Sequence, residues 1–394
     1  MDADVLVLSA ARTAIGRYNG ALRAVPPSSL AAAVTREALT RASVGNEEVS
    51  HVVFGNVIHT EPKDMYLSRV AAIEGGLPET VPALTLNRLC GSGLEAILAG
   101  ARMIRLGDAD IVLAGGAESM SRAPHSLVDY RWGHRLGNGE LIDMMVGALT
   151  DPFSSCHMGQ TAENLARRFD ISRDDQDALA LESHKRATSA TVAGLFRDQI
   201  VAIESRDGSA PLTFDEHVRP EIDAEQLSRL KPAFDHGGTV TAGNSSGIND
   251  AAAAVVMASR HAVERGEYPV LGRLISYAHC GVDPQHMGIG PVVAVPMALK
   301  RARLSLEDMA VIELNEAFAA QALAVQRQLG MSRNVTNPNG GAIALGHPIG
   351  ATGCILVVKL LHELRRIGRR YGMVTLCVGG GQGVAAIFEN ELGT

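Results

Sequence analysis

The feature that most constrains this chain is an order of segments that runs once and then returns. Short apolar stretches with strand character alternate with longer stretches of helical spacing. Val5 to Ser9 predicts a strand, Leu30 to Ala42 a helix, and Val52 to Phe54 a second strand. Gly75, Gly76 and Pro78 punctuate the next helix, Leu84 to Leu89 extends toward Cys90, Gly93 to Leu106 has helical spacing, and Ile111 to Ala114 has the run of a buried strand. After about residue 270 the order comes back. RASVGNEEV at 41–49 resembles RARLSLEDM at 301–309, a helix end followed by an acidic turn and a strand, and IVLAGG at 111–116 resembles VTLCVG at 374–379 at nearly the same offset. Either the chain holds two similar α/β halves, or the likeness is only the common rhythm of α/β proteins; the first reading is adopted here.

Residues of about 119 to 248 break that rhythm with polar, Met-rich and loop-like stretches, and an inserted loop domain is the simplest account. Within it, Thr161 to Phe169 and Asp174 to Ala193 have helical spacing, with Ser172 placed to start the second helix. The predicted organisation is residues 1–118 plus 249–270 as the first half, 119–248 as the insertion, and 271–394 as the second half. A length of 394 residues suits that division. With 4% aromatics against 46% hydrophobics and 41 glycines, the core must be aliphatic with close backbone approaches, which suits layered helices and strands.

The net charge of −7 gives no general attraction to nucleic acid or anionic membranes, so an anionic ligand must be held by local groups. The start, MDADVLVLSAART, has acidic residues where a signal peptide is basic, and the longest apolar run, Ala251 to Ala258, is far below the roughly 20 residues that span a bilayer. The expectation is a cytoplasmic protein. Its cysteines, Cys90, Cys156, Cys280, Cys354 and Cys377, are odd in number and include no C-x-x-C pair, against a disulfide framework or a Cys-rich zinc site.

Four positions carry chemistry. Cys90, in NRLCGSGL, lies where an extended segment ends and a helix opens; the positive end of that helix is expected to lower the thiol pKa from about 8.5 toward roughly 3.5 to 7.5. Gly91 and Gly93 leave its sulfur approachable, although a lone cysteine at a strand end is more commonly a packing residue. His347, in GGAIALGHPIGATG, precedes another helix that Pro348 is expected to start, and it can act as base and as oxyanion donor. Cys377 ends the buried run Met373 to Leu376, and the glycines after it let N–H groups point at a ligand oxygen; with no Lys-Ser/Thr pair following, a phosphate loop is disfavoured. Asn315, in ELNEAFA, is equally well explained alone as a helix N-cap.

Taken in order, NRLCGSG, NEAF, GHPIGATG and CVGGGQG resemble the thiolase family (acetyl-CoA acetyltransferase, β-ketothiolase), and the likeness covers nearly the whole chain. It extends to SAARTAIG at 9–16, GAESMS at 116–121, HMG at 157–159, TAGNSSG at 241–247 and HMGIGP at 286–291. The resemblance implies a thiolase-like α/β fold of two mixed five-stranded sheets in layers, with an inserted loop domain, assembled as a homodimer or a dimer of dimers. It implies that Cys90 is the acylated nucleophile, His347 its activator, and Cys377 the acid and base at the substrate α-carbon. Asn315 would hold a water that forms one oxyanion hole with His347, and the N–H groups of Cys90 and Gly379 would form the other. For coenzyme A, it points to Leu149, His157, Arg219, Ser246 and Met287, with Phe234 and Phe318 beside the pantetheine; Arg219 and Ser246 also suit ordinary surface or turn residues, and a Met is usually core.

The substrates implied are acetyl-CoA, acyl-CoA, 3-ketoacyl-CoA and coenzyme A, with no metal and no further cofactor. The stretch DPFSSCH at 151–157 and GNVIHTEPKDMY at 55–66 look most like bacterial β-ketothiolases that accept chains somewhat longer than acetyl. The alternatives are a 3-ketoacyl-CoA thiolase of fatty-acid breakdown with longer-chain preference and a non-catalytic thioester-binding relative. Ketoacyl synthases and hydroxymethylglutaryl-CoA synthases share the fold, but the second thiol, Cys377, argues against both.

Overall fold

A computed structural model describes residues 4–204 and 210–391. In the first half, β1 (Val5–Thr13), β2 (His51–Gly55), β3 (Ala83–Leu86), β4 (Ile111–Ser119) and β5 (Asn249–Ser259) form one sheet. The second half supplies β6 (Gly272–Gly281), β7 (Met309–Leu314), β8 (Tyr371–Val378) and β9 (Gln382–Glu389). Across the molecule the strand order is β7-β8-β9-β6-β1-β5-β4-β2-β3. Read outward from the β1–β6 junction, the halves follow the same plan. β5 and β9 are antiparallel to both neighbours, while β2–β4 and β7–β8 pair in parallel.

The helices repeat as well. α1 (Pro27–Ala42), α2 (Leu67–Glu74) and α3 (Ser92–Leu106) belong to the first half, and α6 (Gly290–Ala302), α7 (Ala319–Leu329) and α8 (Thr352–Ile367) to the second; the insertion contributes α4 (Met158–Arg168) and α5 (Arg173–Val192). The two sequence matches fall on equivalent places, the ends of α1 and α6 and the strands β4 and β8. One expectation needs correcting: among the described residues the second sheet has four strands, with a single parallel bridge from Ile312 to Thr336 where a fifth would lie. The sheets are joined edge to edge by the antiparallel pairing of Val5–Val7 with Gly272–Leu274.

Alternation along the strands explains the layering. On β5, Ala251, Ala253, Val255 and Met257 face the core that contains α3 and α8, while Ala252, Ala254, Val256 and Ala258 face the core under α1 and α2. On β9, Val384, Ala386 and Phe388 face the same central core, and Ala385 and Ile387 face the outer core with α6 and α7. The result is five layers, helix, sheet, helix, sheet, helix, with α3 and α8 in the middle. Between Ser119 and Asn249 the described residues add one two-residue strand, Ile200–Val201, beside the end of β1; Ser172 caps α5 by accepting from the Asp175 N–H. The buried Arg12–Asp215 pair, 2.7 Å, ties this region to the first half.

α3 and α8 approach so closely at their first turns that only glycine fits. A Cβ on Gly93 would sit 2.7 Å from the Cys354 nitrogen, and one on Gly353 would sit 2.3 Å from the Leu94 nitrogen. Both contacts are with backbone, which cannot swing aside. Gly353→Ala is therefore expected to destabilise the protein by about 1–3 kcal/mol or more in denaturant unfolding. Gly237→Ala, which meets no atom within 4 Å, is the control and should change stability by less than about 0.5 kcal/mol.

Candidate active site

The reactive side chains stand in turns that their neighbours force. After β3 the chain bends through Leu89, whose φ of +44° is left-handed. Ser92 braces the bend: its hydroxyl accepts from the Arg88 N–H at 2.8 Å and donates to the Leu89 carbonyl at 2.7 Å. Cys90 is left two residues before α3. Cys377 lies next to the end of β8, and the turn into β9 runs through Gly380 and Gly381 at φ +78° and +80°, a pair of conformations that glycine takes without strain. This turn brings the Gly379 N–H to the Cys90 sulfur, which also receives its own backbone N–H.

His347 is held from three sides. Its N–H donates to Asn249 Oδ1 at 2.9 Å, and its Nδ1 lies 2.7 Å from Thr352 Oγ1. The Thr352 hydroxyl donates to the Pro348 carbonyl at 2.9 Å, so its lone pair accepts from Nδ1–H. That assigns the tautomer: Nε2 is the free base, 3.5 Å from the amide nitrogen of Asn315. The expectation for Pro348 is corrected here, since α8 begins at Thr352 and Pro348 instead supplies the carbonyls' end of the turn before it. Asn315 is fully buried and is no N-cap; α7 starts at Ala319 with Phe318 at that position.

Burial dominates the electrostatics. It lowers the His347 pKa to about 4, so the imidazole is neutral at physiological pH. The expected lowering of Cys90 does not hold in the free enzyme. Burial, with a smaller contribution from the Glu118 charge, pushes that thiol up to about 11 against the lowering effect of the two N–H groups. Burial raises Cys377 too, with Cys90 adding to it. The resting site is therefore two thiols and a neutral imidazole.

Cys90, His347, Cys377 and Gly379 line one cavity of about 610 Å³ with all seven residues expected to contact coenzyme A: Leu149, His157, Arg219, Phe234, Ser246, Met287 and Phe318. Asn315 sits behind this lining. On one side His157 stacks on Phe234 at 4.8 Å, and Phe234 meets Phe318 edge-on at 6.0 Å, a flat apolar wall. Arg219 is exposed and has no ion-pair partner among the described residues, which leaves its charge for an anion. On the other side Met120, Ala148, Ile248 and Ile349 pack around Cys90 and Leu149.

Reading the sequence alone missed that second wall and the supports of His347. Thr352 lies inside the GHPIGATG stretch and Asn249 two residues past TAGNSSG, so both were within reach; Met120 and Ile349 carry no signal beyond being apolar. Among the described residues no group of three or more His, Cys, Asp or Glu side chains has the arrangement to hold a metal ion.

Residues 5–261 match the thiolase N-terminal domain and residues 268–390 the thiolase C-terminal domain. The chain belongs to the thiolase family. It is 57% identical to beta-ketothiolase BktB of Cupriavidus necator, over 99% of this chain and 100% of that one, and 49% identical to an acetyl-CoA acetyltransferase of the same organism, over 98% and 100%. Human mitochondrial 3-ketoacyl-CoA thiolase superposes with a TM-score of 0.97 at 44% identity, covering 99% of each chain. This chain is thus an acyltransferase that makes or breaks a carbon–carbon bond next to a coenzyme A thioester.

The tautomer of His347 gives this thiolase a specific test. Thr352→Val keeps the shape but removes the acceptor for Nδ1–H, freeing the ring to adopt the wrong tautomer. Acetylation of Cys90 by acetyl-CoA, followed by intact-protein mass spectrometry, should slow by roughly 10- to 100-fold.

Proposed function

We propose that this thiolase runs both directions of its reaction through an acyl group on Cys90. His347 Nε2 takes the Cys90 proton as sulfur attacks the thioester carbonyl of one acyl-CoA, and returns it to the departing coenzyme A sulfur. Cys377 passes its own proton to the emptied His347 Nε2 and, as thiolate, removes an α-proton from acetyl-CoA; the resulting carbanion displaces Cys90 from its acyl group to give 3-ketoacyl-CoA, and the Cys90 thiolate regains a proton from Nε2. The oxygen of the acyl group would rest on the N–H groups of Cys90 and Gly379. The acetyl-CoA oxygen would rest on His347 and a water held by Asn315. The observation that carries this reading is the meeting of two thiols and the free nitrogen of a neutral imidazole, drawn from both halves, in one cavity large enough for a pantetheine arm.

The same proposal assigns coenzyme A to the insertion, residues 119–248, with the pantetheine on the Phe234–Phe318 wall and Arg219 near the phosphates. That the human mitochondrial relative has also been solved in complex with CoA supports it. A cytoplasmic location and a homodimer or dimer of dimers belong to the proposal as well. Exposed Leu127, Val128, Trp132 and Leu136 on one segment of the insertion support assembly.

Cys377→Ala separates the two half-reactions. The variant should still take an acetyl group on Cys90, yet condense it, or exchange the α-hydrogens of acetyl-CoA with deuterated solvent, roughly 100- to 10,000-fold more slowly. Condensation at the wild-type rate by a folded variant would sink the two-thiol mechanism.

The apolar wall of Met120, Ala148, Ile248 and Ile349 beside Cys90 supports acyl groups somewhat longer than acetyl. In a series of 3-ketoacyl-CoA substrates, kcat/KM for the six-carbon compound should lie within roughly tenfold of that for acetoacetyl-CoA. A continued rise toward the longest chains would instead favour the fatty-acid breakdown reading.

A further inference from the structure

Two stretches singled out in the sequence, GNVI at 55–58 and GAES at 116–119, have no part in the chemistry above. They meet at Glu118. Its side chain is fully buried and accepts four hydrogen bonds, three from the first half and one, from Gly350, across the boundary between the halves. Asn56 Nδ2 and the Ile58 N–H donate to Oε1 at 3.1 Å each, the Val57 N–H donates to Oε2 at 3.2 Å, and the Gly350 N–H donates to Oε2 at 2.8 Å. Gly350 belongs to the turn that carries His347 into α8, and a Cβ there would sit 2.5 Å from Glu118 Oε2.

We propose that Glu118 is a positioning residue: it fixes the His347 turn of the second half against the first half. Val57 and Ile58, which donate to it, and Ile349, next to Gly350, pack in one cluster with Cys90, so once ionised its charge also bears on that thiol. The proposal rests on Cys90 being the acyl carrier. All four partners are donors, which suits a carboxylate and leaves no acceptor for a carboxylic proton. Burial nonetheless pushes Glu118 up to about 8. The group is therefore ionised above that pH, over the range in which Cys90 titrates. The other titratable groups around this pair are His347, which is neutral, Cys377, Asp64, whose charge raises Glu118, and Asp250, opposite Ser119 on β5. None of these supplies a cation that cancels the Glu118 charge.

The sign follows directly. A negative neighbour raises a thiol pKa, so removing it must bring the Cys90 titration to lower pH. The rate of Cys90 alkylation by iodoacetamide, read by peptide mass spectrometry between about pH 7 and pH 11, reports that titration without any turnover. Glu118→Gln should alkylate about threefold faster or more near pH 9.5. Its acetylation by acetyl-CoA should slow about tenfold or more, because Gly350 and His347 lose their anchor. Glu118→Asp keeps the charge and shortens the reach: its alkylation profile should stay near wild type while acetylation falls.

A purely structural role would slow acetylation in both variants and leave both profiles in place, which overturns the charge role. A folded Glu118→Gln with wild-type acetylation overturns the positioning role. Should Glu118→Gln not fold, Asn56→Ala decides, since it removes one donor of four and should show slower acetylation with KM for acetyl-CoA unchanged; wild-type acetylation there overturns the proposal. If the wild-type protein takes no acetyl group from acetyl-CoA, the reading of Cys90 fails, whereas the alkylation profiles still judge the charge on Glu118.

Discussion

The contact on which the rest depends is the crossing of α3 and α8 at Gly93 and Gly353. Each glycine lies against the backbone of the opposite helix, at distances no side chain tolerates. Cys90 precedes one of these helices and His347 precedes the other, so the spacing of the two side chains is set by how near two helix ends can come. The cost is carried by backbone entropy at the glycines, and the return is dispersion contact along a central layer buried on all sides. A looser crossing, with ordinary side chains between the helices, would part the two halves of the site.

The architecture was legible because periodicity reports it directly. Segments such as 251–258 and 373–377 show apolar runs of strand length, and the helices between them have clear starts and ends. The repeat was legible through only two short matches, yet both fell on equivalent elements, since helix ends and buried strands are where a duplicated fold leaves the least freedom. What stayed hidden is a matter of partners far apart in the chain. Nothing local in Lys359 reveals that it lies buried 2.6 Å from Glu313, and nothing in Arg12 reveals Asp215. The shortened second sheet was hidden for a similar reason, because a single bridge at Thr336 differs from a strand only in its neighbours.

At the site, residue types and motifs pointed to side chains that line one cavity, and electrostatics did not follow from them. A helix end favours a thiolate, and two N–H groups reach the Cys90 sulfur, yet removal from water outweighs both and leaves the thiol protonated. Sequence shows the donors but not the depth at which they act. The same depth keeps His347 neutral, so the pair begins as acid and base without charge separation, and the donors aimed at the sulfur act most strongly once negative charge is present in the cavity.

Cys90 and Gly350 occupy matching positions, each two residues before its central helix. A chain built from two similar halves has, in outline, room for two identical sites related by its internal axis. The space a second thiol would need is filled by the Glu118 carboxylate, which comes within 2.5 Å of any Cβ at Gly350. Pseudo-symmetry in the scaffold is thus broken at one atom's width: the position that holds a thiol in the first half is closed off by a carboxylate in the second.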